Sequence, residues 1–162
     1  MSEMLHRLIE DAVIFGVTSH RGQFDKSGRP YLLHFLRILS NIQPDPGMPE
    51  ATFIKGQILS VLHDVYEDCD VSLDEIEQRF GLEIAEAVNA ISRRKNETYV
   101  EYLERVKRNE LALFVKKWDI KDNMSHDRNG PYRRMGVDNW SMKTVEKYRR
   151  ALNYLNNFTK EF

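Results

Sequence analysis

Residues 54–68 read Ile54-Lys-Gly-Gln-Ile58-Leu-Ser-Val61-Leu62-His63-Asp64-Val65-Tyr-Glu67-Asp68. Ile54, Ile58, Val61, Leu62 and Val65 recur at steps of three and four, the spacing of one buried face of an α-helix. Pro49 stands where a helix start tolerates it, so this helix is expected from about Glu50. His63 and Asp64 interrupt the apolar ladder near its end. Glu67 and Asp68 follow four residues from each, about one turn further on. Three carboxylates and an imidazole within six residues repel one another unless a cation, protons or water offset them. A solvated acidic helix end is the plain alternative, and the continuation of the ladder to Val65 argues against it.

Outward from this stretch the period stays helical. Leu5, Leu8, Ile9, Ala12, Val13 and Gly16 mark a first helix to about His20. Gly22, Ser27, Gly28 and Pro30 break the chain before a second helix, expected from Tyr31, with Leu32, Phe35, Leu36 and Leu39 facing inward. A loop over residues 41–49 leads into the 50–68 stretch. Ser72-Leu73-Asp74-Glu75 has the pattern of a capping box opening a short helix to Phe80. Gly81 separates it from a helix over residues 82–92, and further helices are expected at about 99–107, 110–124 and 141–157. No alternating strand pattern, internal repeat or low-complexity tract occurs. The predicted class is an all-α bundle of about seven or eight helices.

The composition narrows the possibilities. A length of 162 residues suits one domain with a real core. An apolar content of 41% and a mean hydropathy of −0.56 are those of a globular protein. The longest apolar runs are too short to span a bilayer, so no membrane partner is expected. A single cysteine, Cys69, forms no internal disulfide, which points to a cytoplasmic setting. Residues 1–90 carry 7 Lys and Arg against 15 Asp and Glu, while residues 91–162 carry 17 against 10. The halves either simply attract each other, or place an acidic cation site beside a basic rim for a phosphorylated ligand. A polybasic nucleic-acid binder is not expected, and a homo-oligomer is left open.

Two further polar intrusions stand out. In the 110–124 helix, Leu111, Val115 and Trp118 set the inner face; Asp122 falls on it and Asp119 at its edge, while Lys116 and Lys117 are expected to point outward. An inward carboxylate needs a metal, an ion pair or several donors; a pair with Arg93 or Arg94 is the alternative to a metal. His34 lies inside an otherwise apolar helix, a place usually held by a hydrogen-bonded core histidine. Taken together, His34, His63, Asp64 and Asp119 offer two imidazole nitrogens and two carboxylates, a set suited to manganese, iron or zinc.

Five segments resemble the HD phosphohydrolase superfamily, and within it the RelA/SpoT-type alarmone hydrolase domain and its small stand-alone relatives. They are His20-Arg-Gly-Gln23; Gly28-Arg-Pro-Tyr31-Leu-Leu-His34; Leu62-His-Asp-Val-Tyr-Glu-Asp68; Phe80-Gly81 before an amphipathic helix; and Val115-Lys-Lys-Trp-Asp-Ile-Lys-Asp-Asn-Met124. The resemblance spans residues 1–124, and 125–162 would complete a single HD-type domain over 1–162. It implies that His34, His63, Asp64 and Asp119 hold one divalent metal, usually manganese, and that Glu67 and Asp68 handle the water nucleophile and its protons. It also implies that Asn123 and Lys26 contact a nucleotide substrate. The implied activity is metal-dependent removal of the 3′-pyrophosphate of guanosine tetra- or pentaphosphate. The alternatives are another HD nucleotide phosphatase, acting on a nucleoside monophosphate or NADPH, and a catalytically silent nucleotide-binding module. Three positions depart from the family pattern. Asp25 stands where an arginine usually stacks on guanine, Phe35 where proline usually follows the metal histidine, and Asp122 where the late motif usually has histidine.

Overall fold

The computed structural model describes residues 2–25, 28–125 and 142–157. Among them the chain forms nine helices: α1 (Ser2–Ser19), α2 (Leu32–Asn41), α3 (Glu50–Leu62), α4 (Val65–Asp68), α5 (Leu73–Phe80), α6 (Leu82–Ile91), α7 (Tyr99–Lys107), α8 (Glu110–Met124) and α9 (Met142–Asn156). The only β-type pairing among the described residues is an isolated bridge, Phe24 with Pro30. The all-α class is thus as the periodicity predicts.

Local chemistry sets most of the helix ends. Ser72 Oγ accepts from the Glu75 N–H at the start of α5, the first half of the expected box. Thr98 and Glu101 form the complete reciprocal box at α7. Asn109 Oδ1 accepts from the Ala112 N–H at α8. Gly81 takes φ +89°, a conformation that L side chains rarely adopt, and so divides α5 from α6.

Helix α3 is the central pillar, packed against α1, α2, α6 and α8. Its ladder is buried as expected, with Ile54, Ile58, Val61 and Leu62 at most 2% exposed. Two glycines permit the close approaches. A Cβ on Gly16 would lie 2.8 Å from Val61 Cγ1, and one on Gly56 only 2.5 Å from Phe114 Cε1. The neighbours α1 and α8 therefore pack almost backbone to side chain against the pillar.

One difference from the sequence expectation shapes the site. Helix α3 ends at Leu62 instead of running on through the acidic residues. His63 is its C-cap, Asp64 at φ −108° and ψ −2° makes the turn, and the four-residue α4 starts anew at Val65. This short extra helix brings the described count to nine. Its physical effect is to change the chain direction at the polar pair, so that both residues face the space between α2 and α8.

Candidate metal centre

His34, His63 and Asp119 come from three different helices or helix ends, yet each offers a ligand atom within 4.8 Å of the others. All three are nearly inaccessible, at 1%, 2% and 3% exposure. His34 Nε2 is 3.2 Å from Asp119 Oδ1, and His63 Nε2 is 3.8 Å from the same oxygen. Asp64 stands at the edge of this trio: its Oδ2 is 3.0 Å from His63 Nε2 and 4.0 Å from His34 Nε2. The four predicted metal ligands are therefore brought together, three as a buried core and the fourth beside it.

The second nitrogen of each imidazole is committed elsewhere. His63 Nδ1–H donates to the Ser60 carbonyl at 2.8 Å. His34 Nδ1–H donates to Asp122 Oδ2 at 2.7 Å. Both rings thus turn Nε2 toward the carboxylates, which is how metal-binding histidines are commonly held. His63 Nε2 is buried and, although Asp64 Oδ2 lies 3.0 Å away, makes no aligned hydrogen bond within the protein. A buried nitrogen left in this way is costly unless something besides the protein meets it. Two imidazole nitrogens and two carboxylates around it fit a divalent cation.

Charges around the centre are strongly coupled. Burial alone would depress the charge on His63, but the adjacent Asp64 carboxylate and then Asp119 outweigh it and push the pKa up to about 9. Burial opposes ionisation of Asp64 too; the adjacent His63 charge reverses this and holds its pKa below the usual carboxylate range. Asp119 is likewise held well below that range, burial being overcome first by Lys116 and then by the two histidines. Without a cation, a proton on His63 takes the place of positive charge among the carboxylates.

Lys116 is a correction to the sequence expectation. Its side chain turns inward, only 14% exposed, and its Nζ donates to Asp119 Oδ2 at 2.7 Å. Helical angle gives the direction of Cβ, and a four-carbon stem bends back from there to a carboxylate one turn on. The partner of Asp122 is also different from the one considered. Arg37 Nε donates to Asp122 Oδ1 at 2.8 Å and Nη2 to Oδ2 at 3.1 Å, while Arg93 and Arg94 are exposed in the loop after α6.

The acidic pair after the turn is exposed, with each carboxyl group partly desolvated. Glu67 Oε2 accepts from the Arg93 backbone N–H at 2.7 Å. Burial raises the pKa of Glu67, with Asp64 and Asp68 adding to the rise and the Arg93 hydrogen bond opposing it. Burial and the Asp64 charge raise that of Asp68 as well. Asn123 Nδ2 donates to Asp119 Oδ1 at 2.6 Å, which places this amide at the cluster itself. Lys26, Trp140, Arg133, Arg134 and Phe158 lie outside the described residues.

Several members of the site were not singled out from the sequence. The Tyr31 hydroxyl donates to Asp64 Oδ2. Its ring packs on His20 with centroids 4.6 Å apart, and His20 Nδ1–H donates to Gln23 Oε1 at 2.8 Å. Gln23 Nε2 in turn donates to the Asp68 carbonyl at 3.0 Å, pinning the loop before α2 against α4. The only signal was the presence of His20, Gln23 and Tyr31 in the recognised segments. Arg105 has a structural role. Its guanidinium donates to the carbonyls of Asn89, Ala90 and Ser92 and pairs with Glu97.

Comparison with known proteins gives this geometry a context. The sequence pattern of the HD domain matches residues 12–118. A Vibrio cholerae guanosine-3′,5′-bis(diphosphate) 3′-pyrophosphohydrolase is 36% identical over 78 residues, 46% of this chain and 10% of the relative. A Synechocystis protein, a probable enzyme of the same description, is 33% identical over 110 residues, 68% of this chain and 14% of the relative. A GTP pyrophosphokinase of Myxococcus xanthus is 33% identical over 86 residues, 53% of this chain and 11% of the relative. The matches thus span only 10% to 14% of the length of these relatives. A solved structure, described as a metazoan ortholog of SpoT that hydrolyzes ppGpp and plays a role in starvation responses, superposes with a TM-score of 0.60. It is 18% identical, and the match covers 90% of this chain and 94% of that one. That likeness concerns the helical fold.

Proposed function

This chain belongs to the HD-domain family, and on that premise we propose that it is a metal-dependent phosphohydrolase acting on a nucleotide. The observation that carries the reading is the pair of buried imidazoles, each fixed through Nδ1, that turn Nε2 toward Asp64 and Asp119. We assign His34, His63, Asp64 and Asp119 as the ligands, with manganese as the cation. When bound, a divalent ion supplies Lewis acidity, acidifying water and offsetting charge on a phosphoryl oxygen.

The protein's own groups do the rest. Lys116 and Asn123 each hold one oxygen of Asp119 and so fix its orientation. Tyr31 does the same for Asp64. Glu67, anchored by the Arg93 N–H, and Asp68 are proposed to orient the attacking water and accept its proton; their raised pKa values bring them closer to that task at neutral pH. Lys26 and Asn123 are the proposed substrate contacts. The substrate we favour is guanosine tetra- or pentaphosphate, in keeping with the names of the relatives. Water oxygen adds to the phosphorus on the 3′ oxygen, that P–O bond breaks, the 3′ oxygen takes a proton, and pyrophosphate leaves. A chain with one cysteine and no disulfide would do this in the cytoplasm.

One observation favours a second reading. Asp25 Oδ1 accepts from the Arg29 N–H at 3.0 Å and closes the turn where the resemblance places a guanine-stacking arginine. A carboxylate gives no cation–π contact to a guanine ring, which favours another nucleotide, such as a nucleoside monophosphate or NADPH. The test is product release by metal-stripped protein resupplied with manganese, on guanosine tetraphosphate, NADPH and the nucleoside and deoxynucleoside monophosphates. Pyrophosphate from the tetraphosphate supports the first reading, and phosphate from another member the second. Manganese binding without turnover of any member would leave a nucleotide-binding module.

A further inference from the structure

The two buried histidines are not held alike. His63 rests on a neutral carbonyl, that of Ser60. His34 rests on a carboxylate, Asp122, which is 7% exposed, and Arg37 grips both oxygens of that carboxylate. Asp122 is also the position where the late motif usually has histidine. A histidine there has no charge-bearing acceptor to offer His34, nor a counterpart for Arg37.

We propose that Arg37 and Asp122 form a positioning relay for His34. Asp122 locks His34 with its proton on Nδ1 and enriches Nε2 as a donor, while Arg37 keeps the carboxylate oriented and unable to swing into the cluster. The inference deepens the proposed metal-dependent reading and rests on it.

Three observations converge. The Nδ1–Oδ2 distance of 2.7 Å is that of a charge-assisted hydrogen bond. Arg37 approaches through Nε and Nη2, the side-on fork that fixes a carboxylate plane, so the relay has one orientation. The His34 and Arg37 positions lie three apart on α2, on neighbouring points of one helix face, and Asp122 lies three beyond Asp119 on α8. One carboxylate pair on α8 thus addresses both nitrogens of the His34 ring: Asp119 toward Nε2 at 3.2 Å and Asp122 at Nδ1. The burial cost of Asp122 is offset within the relay by the hydrogen bonds it accepts from His34 and Arg37.

The test uses the full chain and reads metal affinity and tautomer instead of turnover. Mn²⁺ and Zn²⁺ are titrated calorimetrically into wild type, Asp122→Ala, Asp122→Asn and Arg37→Ala, with the thermal midpoint of each metal-free protein as a folding control. Asp122→Ala should bind both ions about 10- to 100-fold more weakly, the usual loss on removing such a partner. Asp122→Asn, of the same shape and still carrying an acceptor oxygen, should fall between. Arg37→Ala should lose less than Asp122→Ala. Long-range ¹H–¹⁵N spectra of the metal-free protein at alkaline pH should show His34 protonated on Nδ1 in wild type and Asp122→Asn, and a tautomer mixture in Asp122→Ala. Wild-type affinity in both Asp122 variants, or an unchanged Nδ1–H tautomer in Asp122→Ala, overturns the proposal. A wild type without affinity for either ion removes the proposed function, and the tautomer spectra still decide the relay.

Discussion

Competition between a proton and a cation for His63 gives the sharpest quantitative test. In the metal-free protein the imidazole is pushed up to about 9, from a usual value near 6.5. A raised pKa means that the charged ring stabilises the metal-free fold fully below about pH 6.5. That contribution, of order 3 kcal/mol by linkage, is lost as pH rises through about 9. A cation accepting the Nε2 lone pair must first displace the proton. Asp64 and Asp119 are ionised throughout this range, so one proton should leave per ion bound, and apparent affinity should rise about tenfold per pH unit. Between pH 6 and 8 the Mn²⁺ dissociation constant should therefore fall about 100-fold, or roughly 2.7 kcal/mol. Calorimetry in buffers of differing ionisation enthalpy measures both quantities. A pH-independent constant, with no proton released, would refute a charged His63 among these carboxylates.

Other perturbations address separate parts of the site and the fold. Asp64→Ala should abolish activity and lose metal affinity together; an active, metal-free variant would remove Asp64 as a ligand. Glu67→Ala should keep metal affinity and lose about 100-fold or more in turnover, the usual scale for a general base, and wild-type rates would take Glu67 out of the chemistry. Lys116→Met leaves the Asp119 carboxylate without its ammonium partner and should cost about 3–5 kcal/mol in urea denaturation of the metal-free protein. Gly56→Ala drives a methyl to 2.5 Å from the Phe114 ring and should cost about 1–3 kcal/mol; an unchanged thermal midpoint would mean that α8 shifts freely on α3.

The helical class and the inward polar residues were legible for the same reason. Apolar period marks helix faces one segment at a time, and a polar residue on such a face announces itself. His34, His63 and Asp119 were visible in this way, and they meet because α2, α3 and α8 share one core. Pairings across elements were not legible. Arg37 and Asp122 are 85 residues apart, and Tyr31 finds Asp64 over 33, with nothing in either local pattern to join them. The turn at His63 was hidden because Val65, buried at the start of α4, stays in phase with the ladder of α3. Lys116 was misread because a long side chain need not follow its Cβ.

The hook between Glu67 and the loop after α6 bears on which substitutions this rim can accept. Its donor is the backbone of residue 93, and backbone donors survive every substitution except proline. The side chains of Arg93, Arg94 and Lys95 are thereby separated from the task of holding the acid, while the Arg105 staple and the Thr98 cap keep the loop's course. The charge of this rim is free to drift toward a new ligand while the acidic residue stays anchored. Such a division of labour lets the rim's side chains change without loosening the anchor of Glu67.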